Sequence, residues 1–243
     1  MFNQDIVKDL LSPIQISTYL NENEEKNFDS REKWPDAIKP LKHQENCSAC
    51  WAIAGASVLS DRFRISKCDI GELSPQDLLS CDKLDHGCYG GTPLHVWSWL
   101  STKGIATEEC FPYVSGNGTV PECSNKCQDK KKAVRYKARS AAIIPPQFII
   151  SDLMANGPQE AAFLVFDDFL RYSKGVYKHK KGELLGAHSV KLIGFGIEKG
   201  TKYWLMANSW GEEWGEGGFF KIRRGKNECG VESMVFAGTP QCD

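Results

Sequence analysis

No stretch of the 243-residue chain approaches the roughly 20 consecutive apolar residues that a membrane-spanning helix needs, so no membrane partner is expected. Nor is there an excess of charge. The 30 Lys and Arg stand against 31 Asp and Glu, a formal net charge of −1. That balance removes the electrostatic case for nucleic acid or an anionic membrane as the main partner. The run Lys130–Lys131–Lys132 then reads as a solvated loop. No internal repeat and no low-complexity segment stands out. The opening residues MFNQDIVKDLL are too acidic and too broken for a secretory core. They leave open whether a leader was removed before Met1 or never preceded it.

What the chain does have is cysteine. Ten occur, clustered at 47, 50, 81 and 88 and again at 110, 123 and 127, with 68, 229 and 242 apart. Such clustering marks either a disulfide framework in an oxidising compartment or metal sites. A zinc reading exists in Cys47-x-x-Cys50 with Cys123-x-x-x-Cys127, though no metal or other cofactor is expected.

The polar stretch Asn21 to Lys26 (NENEEK) separates residues 1–26 from the rest as a tail. From Cys50, CWAIAGASVLSDRFRI carries apolar residues at helical spacing without proline and predicts a largely buried helix. Ser74-Pro75 and Thr92-Pro93 each pair a capping side chain with a proline suited to the first helical position, predicting two more. Beyond Arg135 short apolar runs alternate with glycine, at 175, 189, 202 and 217, and read as strands. The expected fold class is therefore α+β, a helical half followed by a β-rich half.

Four stretches carry chemistry together: Gln44-Glu45-Asn46-Cys47-Ser48-Ala49-Cys50-Trp51, Cys88-Tyr89-Gly90-Gly91, Gly186-Ala187-His188-Ser189, and Asn208-Ser209-Trp210-Gly211. A cysteine that attacks amides must be a thiolate near neutral pH, and the start of a helix favours that anion. His188 can stabilise the thiolate and protonate the leaving amine, while Asn208 orients its ring. Gln44 can donate to the tetrahedral oxyanion beside the Cys50 backbone N–H. Taken singly, each has a bland alternative: a small buried hydrophobe, a core histidine, an ordinary turn. Their order and spacing together make coincidence a poor explanation.

On these residues the chain resembles the papain family of cysteine proteases, and within it the cathepsin B-like branch. His188 and Asn208 lie near the range of about 130–150 residues downstream of the nucleophile that is typical there. FDSREKWP at 28, Ser60-Asp61-Arg62, Asn156-Gly157-Pro158, Asp168-Phe169-Leu170, Gly175-Val176-Tyr177 and Cys229-Gly230-Val231-Glu232-Ser233 extend the likeness over residues 28–238. The resemblance implies a helical left lobe (27–135) and a β-barrel right lobe (136–243) with the active site in the cleft between, and a tail (1–26) that is a propeptide remnant or a compact substitute. It implies disulfides Cys47–Cys88, Cys81–Cys123 and Cys110–Cys127, with Cys50 and Cys229 free and a Cys68–Cys242 bridge left open.

The implied function is a thiol endopeptidase acting on protein and peptide substrates. It would be a monomer in a lysosome, a vacuole or outside the cell, open to protein inhibitors of the cleft. Gly90 and Gly91 would pair with the substrate backbone, and Trp210 would shield the Asn208–His188 hydrogen bond. Pro93, Ala187, Ser189 and Met234 would line S2, with Ser48 beside the S1 wall. Three departures stand out: Ser48 and Glu45 where the family usually has glycine, no histidine between Glu109 and Cys127 where cathepsin B has its occluding loop, and Met234 in place of a glutamate at the S2 floor. A non-catalytic binding protein, a carboxydipeptidase and an acyltransferase are the rival readings.

Overall fold

The computed structural model describes residues 27–68 and 70–242, so the expectation for the 1–26 tail lies outside the described residues. In chain order the elements are β1 (Phe28–Asp29), α1 (Ser30–Lys33), α2 (Cys50–Ile65), α3 (Pro75–Cys81), α4 (Pro93–Thr102), β2 (Ala138–Ile143), α5 (Ile149–Asn156), β3 (Gln159–Phe166), β4 (Val176–Tyr177), β5 (Leu184–Glu198), β6 (Thr201–Ala207), β7 (Phe219–Arg223) and β8 (Val235–Pro240). The fold is mixed α and β, helices first and then a large sheet.

The local reasons are visible residue by residue. Ser74 accepts a hydrogen bond from the Asp77 N–H and Thr92 from the His95 N–H, so both Pro-led helices begin on a side-chain cap. α2 begins differently. Its N-cap is Ala49, which offers no side-chain acceptor, so the first amides of this helix stay open at the cleft. Most of α2 is buried, including Trp51, Ile53, Leu59 and Phe63.

The sheet runs in the order β2-β8-β3-β5-β6-β7-β4, with β1 added on β5. Neighbours are antiparallel except β4 and β7. Inward-facing Phe163, Val190, Leu192, Trp204, Met206, Phe220 and Val235 from five of these strands meet in one apolar core with Phe169. A second core gathers Trp51, Leu59, Phe63, Leu78, Trp97 and Leu100 from the helices, joined by Ala138 and Phe236 of the sheet. The carboxy-terminal half is not all strand, since α5 stands between β2 and β3.

Two buried cations fasten α2 to the sheet. Lys191 of β5 is fully buried, and its three N–H donors reach Asp61 Oδ2 (2.6 Å), Ser57 Oγ (2.8 Å) and the Lys39 carbonyl (2.6 Å). Arg62, the next residue on α2, donates to the carbonyls of Pro158, Gly157 and Gly238 and to Asp152. Disulfides Cys47–Cys88, Cys81–Cys123 and Cys110–Cys127 close the helical part. Cys68–Cys242 carries the chain's end back to it. With Cys47, Cys123 and Cys127 so engaged, the zinc reading loses three of its four ligands.

Removing one partner of a fully buried pair leaves an uncompensated charge, at a cost of about 3–5 kcal/mol. Asp61→Ala is therefore expected to lower unfolding stability by that amount in urea titration with the disulfides intact. Asp61→Leu combined with Lys191→Met should recover most of it.

Candidate active site

Cys50 is the first residue of α2 and half-buried; with Cys229 it is one of two free cysteines among the described residues. The backbone amides of Ser189, Trp51 and Cys50 itself reach its sulfur. They favour the anion, but burial outweighs them and pushes the thiol up. The Ser189 contact brings β5 up to the thiol one residue past His188.

His188 is buried, and its Nε2 lies 2.7 Å from Asn208 Oδ1. The Asn208 oxygen also accepts the Ser209 N–H at 2.8 Å, which fixes which end of the amide faces the ring. Nε2 must then carry the proton, leaving Nδ1 as the ring's free nitrogen. The register explains the meeting: Lys191 of β5 pairs with Ala207 of β6, so Asn208 emerges beside the His188 end of β5. Burial lowers the imidazole to about 4, against the raising effect of Asn208. Trp210 covers the pair, its ring 4.7 Å from the His188 ring.

Gln44 is held at both ends. Its Oε1 accepts from Ser209 Oγ at 2.6 Å, its Nε2 donates to the Cys47 carbonyl at 3.1 Å, and its own carbonyl accepts from the Tyr113 hydroxyl. One Nε2–H is left over. The structure thus brings Cys50, His188, Asn208, Gln44 and Trp210 together around the start of α2.

The remaining candidates lie around them. Gly91 sits against Trp51 and Asp85, where an added Cβ would come within 2.5 Å of the indole and 2.7 Å of the Asp85 carboxyl carbon. Gly90 takes φ +114°, beyond the reach of most side chains. Pro93 is buried at the start of α4, two residues on. Ser189 pairs across the sheet with Ala162, whose N–H donates to the Met234 carbonyl at 2.9 Å, so Ser189 and Met234 are neighbours. Ala187 and Ser48 are exposed.

A papain family cysteine protease model matches residues 25–239, most of the chain. The chain belongs to the papain family. Among curated proteins it is 43% identical over 237 residues to the "Gut-specific cysteine proteinase" of Caenorhabditis elegans, covering 87% of this chain and 72% of the relative. It is 38% identical over 250 residues to "Cathepsin B-like cysteine proteinase 4" of the same organism, covering 88% and 75%. Among solved structures, "proCathepsin B S9 from Trypanosoma congolense" superposes with a TM-score of 0.86 at 36% identity, covering 96% of this chain and 83% of that one. The protein is accordingly a cysteine protease of the cathepsin B-like kind.

Against that papain-family background two features were not read from the sequence. Ser209 is the link between the Asn208 and Gln44 amides, and the Asn-Ser-Trp motif contained it without revealing its use. Glu160 of β3 is fully buried behind Ser189. Trp97 Nε1 donates to its Oε2 at 2.9 Å, and burial holds its carboxyl well above the usual range. Glu45 shows why glycine is usual after the glutamine: its φ is +53°, where a side chain crowds the backbone.

That left-handed turn costs a non-glycine residue about 1–2 kcal/mol. Glu45→Gly is expected to recover roughly 1 kcal/mol less the added freedom of the unfolded chain, read as a raised thermal midpoint. A drop in the midpoint would mean that the Glu45 carboxylate, packed on Gly116, contributes more than the strain removes.

Proposed function

We propose that this protease is a thiol endopeptidase that works through Cys50, His188, Asn208 and Gln44 and prefers apolar P2 residues. The observation that carries the proposal is a free cysteine at an uncapped helix start, beside a histidine whose one nitrogen is fixed by a buried asparagine. The Cys50 proton passes to His188 Nδ1 and the sulfur attacks the scissile carbonyl carbon. Gln44 Nε2 and the Cys50 N–H stabilise the oxyanion. The C–N bond breaks as His188 returns the proton to the leaving amine, giving a thioester. Water, deprotonated by the same ring, then releases the acid and restores the thiol.

Burial opposes either charge of this pair alone, which is why the thiol is pushed up and the imidazole down. Formed together, the charges offset each other, since opposite unit charges about 4 Å apart attract by about 4 kcal/mol at an effective dielectric of about 20. Proton transfer within the pair adds no net charge to the cleft.

Gly90 and Gly91 would receive the substrate as an added strand, unobstructed by side chains, and Ser48 would narrow the S1 wall. The left lobe is assigned to 27–135 and the right lobe to 136–243, the cleft between them. Four disulfides and the cathepsin-like relatives support a lysosome, a vacuole or the extracellular space, and no helix among the described residues is long and apolar enough to cross a membrane. Residues 109–127 hold no histidine to grip a substrate's terminal carboxylate, which favours internal cleavage over carboxydipeptidase action.

Mass spectrometry of a digested long peptide tests this. Internal cuts are expected, with none by Cys50→Ala; a ladder of dipeptides from the carboxyl end would favour the dipeptidase, and activity in the mutant would remove Cys50 from the chemistry. At S2 the neutral lining of Pro93, Ala187, Ser189 and Met234 offers a P2 arginine no partner, so its desolvation goes unrewarded at several kcal/mol. A P2 leucine or phenylalanine gains about 1.5–3 kcal/mol instead. Paired fluorogenic dipeptides should show kcat/KM at least tenfold higher for leucine, with Met234→Glu recovering part of the arginine cleavage.

A further inference from the structure

Two acidic side chains lie buried against the glycine segment Gly90–Gly91. Asp82 caps the end of α3 and Asp85 follows in the next loop, both with almost no exposure. Each has one oxygen engaged. Asp82 Oδ1 accepts from the Leu84 N–H at 2.9 Å, and Asp85 Oδ1 accepts from the Thr92 N–H at 3.0 Å with His95 Nδ1 at the same distance. Each leaves its Oδ2 buried with no donor among the described residues. The two carboxyl groups lie within hydrogen-bond reach of one another, where two ionised carboxylates would repel strongly and a single shared proton removes the conflict. Burial first, and then the charge of Asp85, hold the Asp82 carboxyl above its ordinary range.

Asp85 is in turn tied to the glycine segment. A Cβ added to Gly91 would come within 2.7 Å of its carboxyl carbon, and its Oδ1 holds the amide of Thr92, the next residue. The N–H of His86 donates to the Gly90 carbonyl at 2.9 Å. A shift of Asp85 is therefore passed to Gly90 and Gly91 through short connections. On the reading of these glycines as the substrate's backbone partners, we propose that Asp82 and Asp85 share one proton and that their hydrogen bond positions Gly90 and Gly91 to receive substrate. Both aspartates are then positioning residues, acting on substrate through the glycines. The proton is held on the acid side and passes to solvent as pH rises. The two charges then push apart, the segment loosens and substrate binding weakens, while the steps at Cys50 and His188 are untouched. His95 of α4 faces Asp85, and Glu160 of β3, whose carboxyl burial holds well above the usual range, acts on it through space. Lys83 turns to the Ser80 carbonyl, Asp77 of α3 turns to Arg135, and His86 is exposed. From α2 comes the uncharged Trp51.

The test compares two esters with one leaving group from about pH 5 to pH 8, an acetyl-dipeptide and an acetyl-amino acid too short to reach Gly90 and Gly91. The KM of the dipeptide relative to the shorter ester should rise about fivefold or more across that range as the shared proton is lost, with the kcat ratio level. Asp82→Asn keeps a donor in the proton's place and should hold the acid-side KM ratio throughout. Its unmutated rate on the shorter ester shows that it is folded. A KM ratio in the unmutated protein that ignores pH overturns the proposal. So does a pH dependence that survives Asp82→Asn, which would assign it to His95. A dipeptide with no KM advantage at any pH would instead remove the substrate role of Gly90 and Gly91, and the positioning role with it. Carbon-13 NMR of aspartate-labelled enzyme reads the proton itself, whatever the glycines do. A carboxyl resonance still protonated at mildly acid pH and removed by Asp82→Asn is expected, and its absence from the unmutated protein would equally overturn the shared proton.

Discussion

Everything at the cleft depends on how α2 is held against the sheet. The helix brings the thiol, the sheet brings the histidine, and their relative placement is only as exact as the join between the two. That join is made by Lys191 and Arg62, charged side chains with almost no exposure. A purely apolar join of the same area could slide, because hydrophobic contact has no direction. A lysine whose three donors all find acceptors on α2 and on the segment before it has one satisfactory position. Lys191 is three residues from His188 on β5, and Ser57 and Asp61 share a helix with Cys50. The register between thiol and imidazole is therefore set by short, stiff connections.

The same logic of full satisfaction runs through the site. Asn208 Oδ1 serves His188 and Ser209, and Ser209 Oγ serves Gln44, so one chain of hydrogen bonds ties the histidine's orientation to that of the Gln44 amide. The helix start is the exception. Ala49 leaves it uncapped, an arrangement that costs helix stability and keeps its first amides for the sulfur.

Much of this was legible in the sequence, unevenly and for physical reasons. α2, α3 and α4 announced themselves because capping residues and prolines act locally. β5, β6 and β7 were bounded by glycines that turns require. β3 (QEAAFLVF) escaped notice because it is covered on both faces and so shows no alternation of polar and apolar residues. β1 and β2 are short or exposed, with no pattern of their own. α5 carries no side-chain cap and was lost among the strands. The combination of motifs around Cys50, His188 and Asn208 was readable in the sequence. The roles of Ser209, Lys191 and Glu160 were not, since each acts on residues that only folding brings near.

The most direct measurement is the rate of Cys50 alkylation by iodoacetamide as a function of pH. An ion pair with His188 predicts a rate that stays nearly level from neutral pH down to about pH 5, because the thiolate persists until the pair itself is protonated. A His188→Ala variant should lose that acid-side reactivity. A rate in the unmutated protein that climbs tenfold per pH unit toward the ordinary thiol range of about 8.5 would contradict it, and would leave Cys50 a buried thiol beside a neutral histidine.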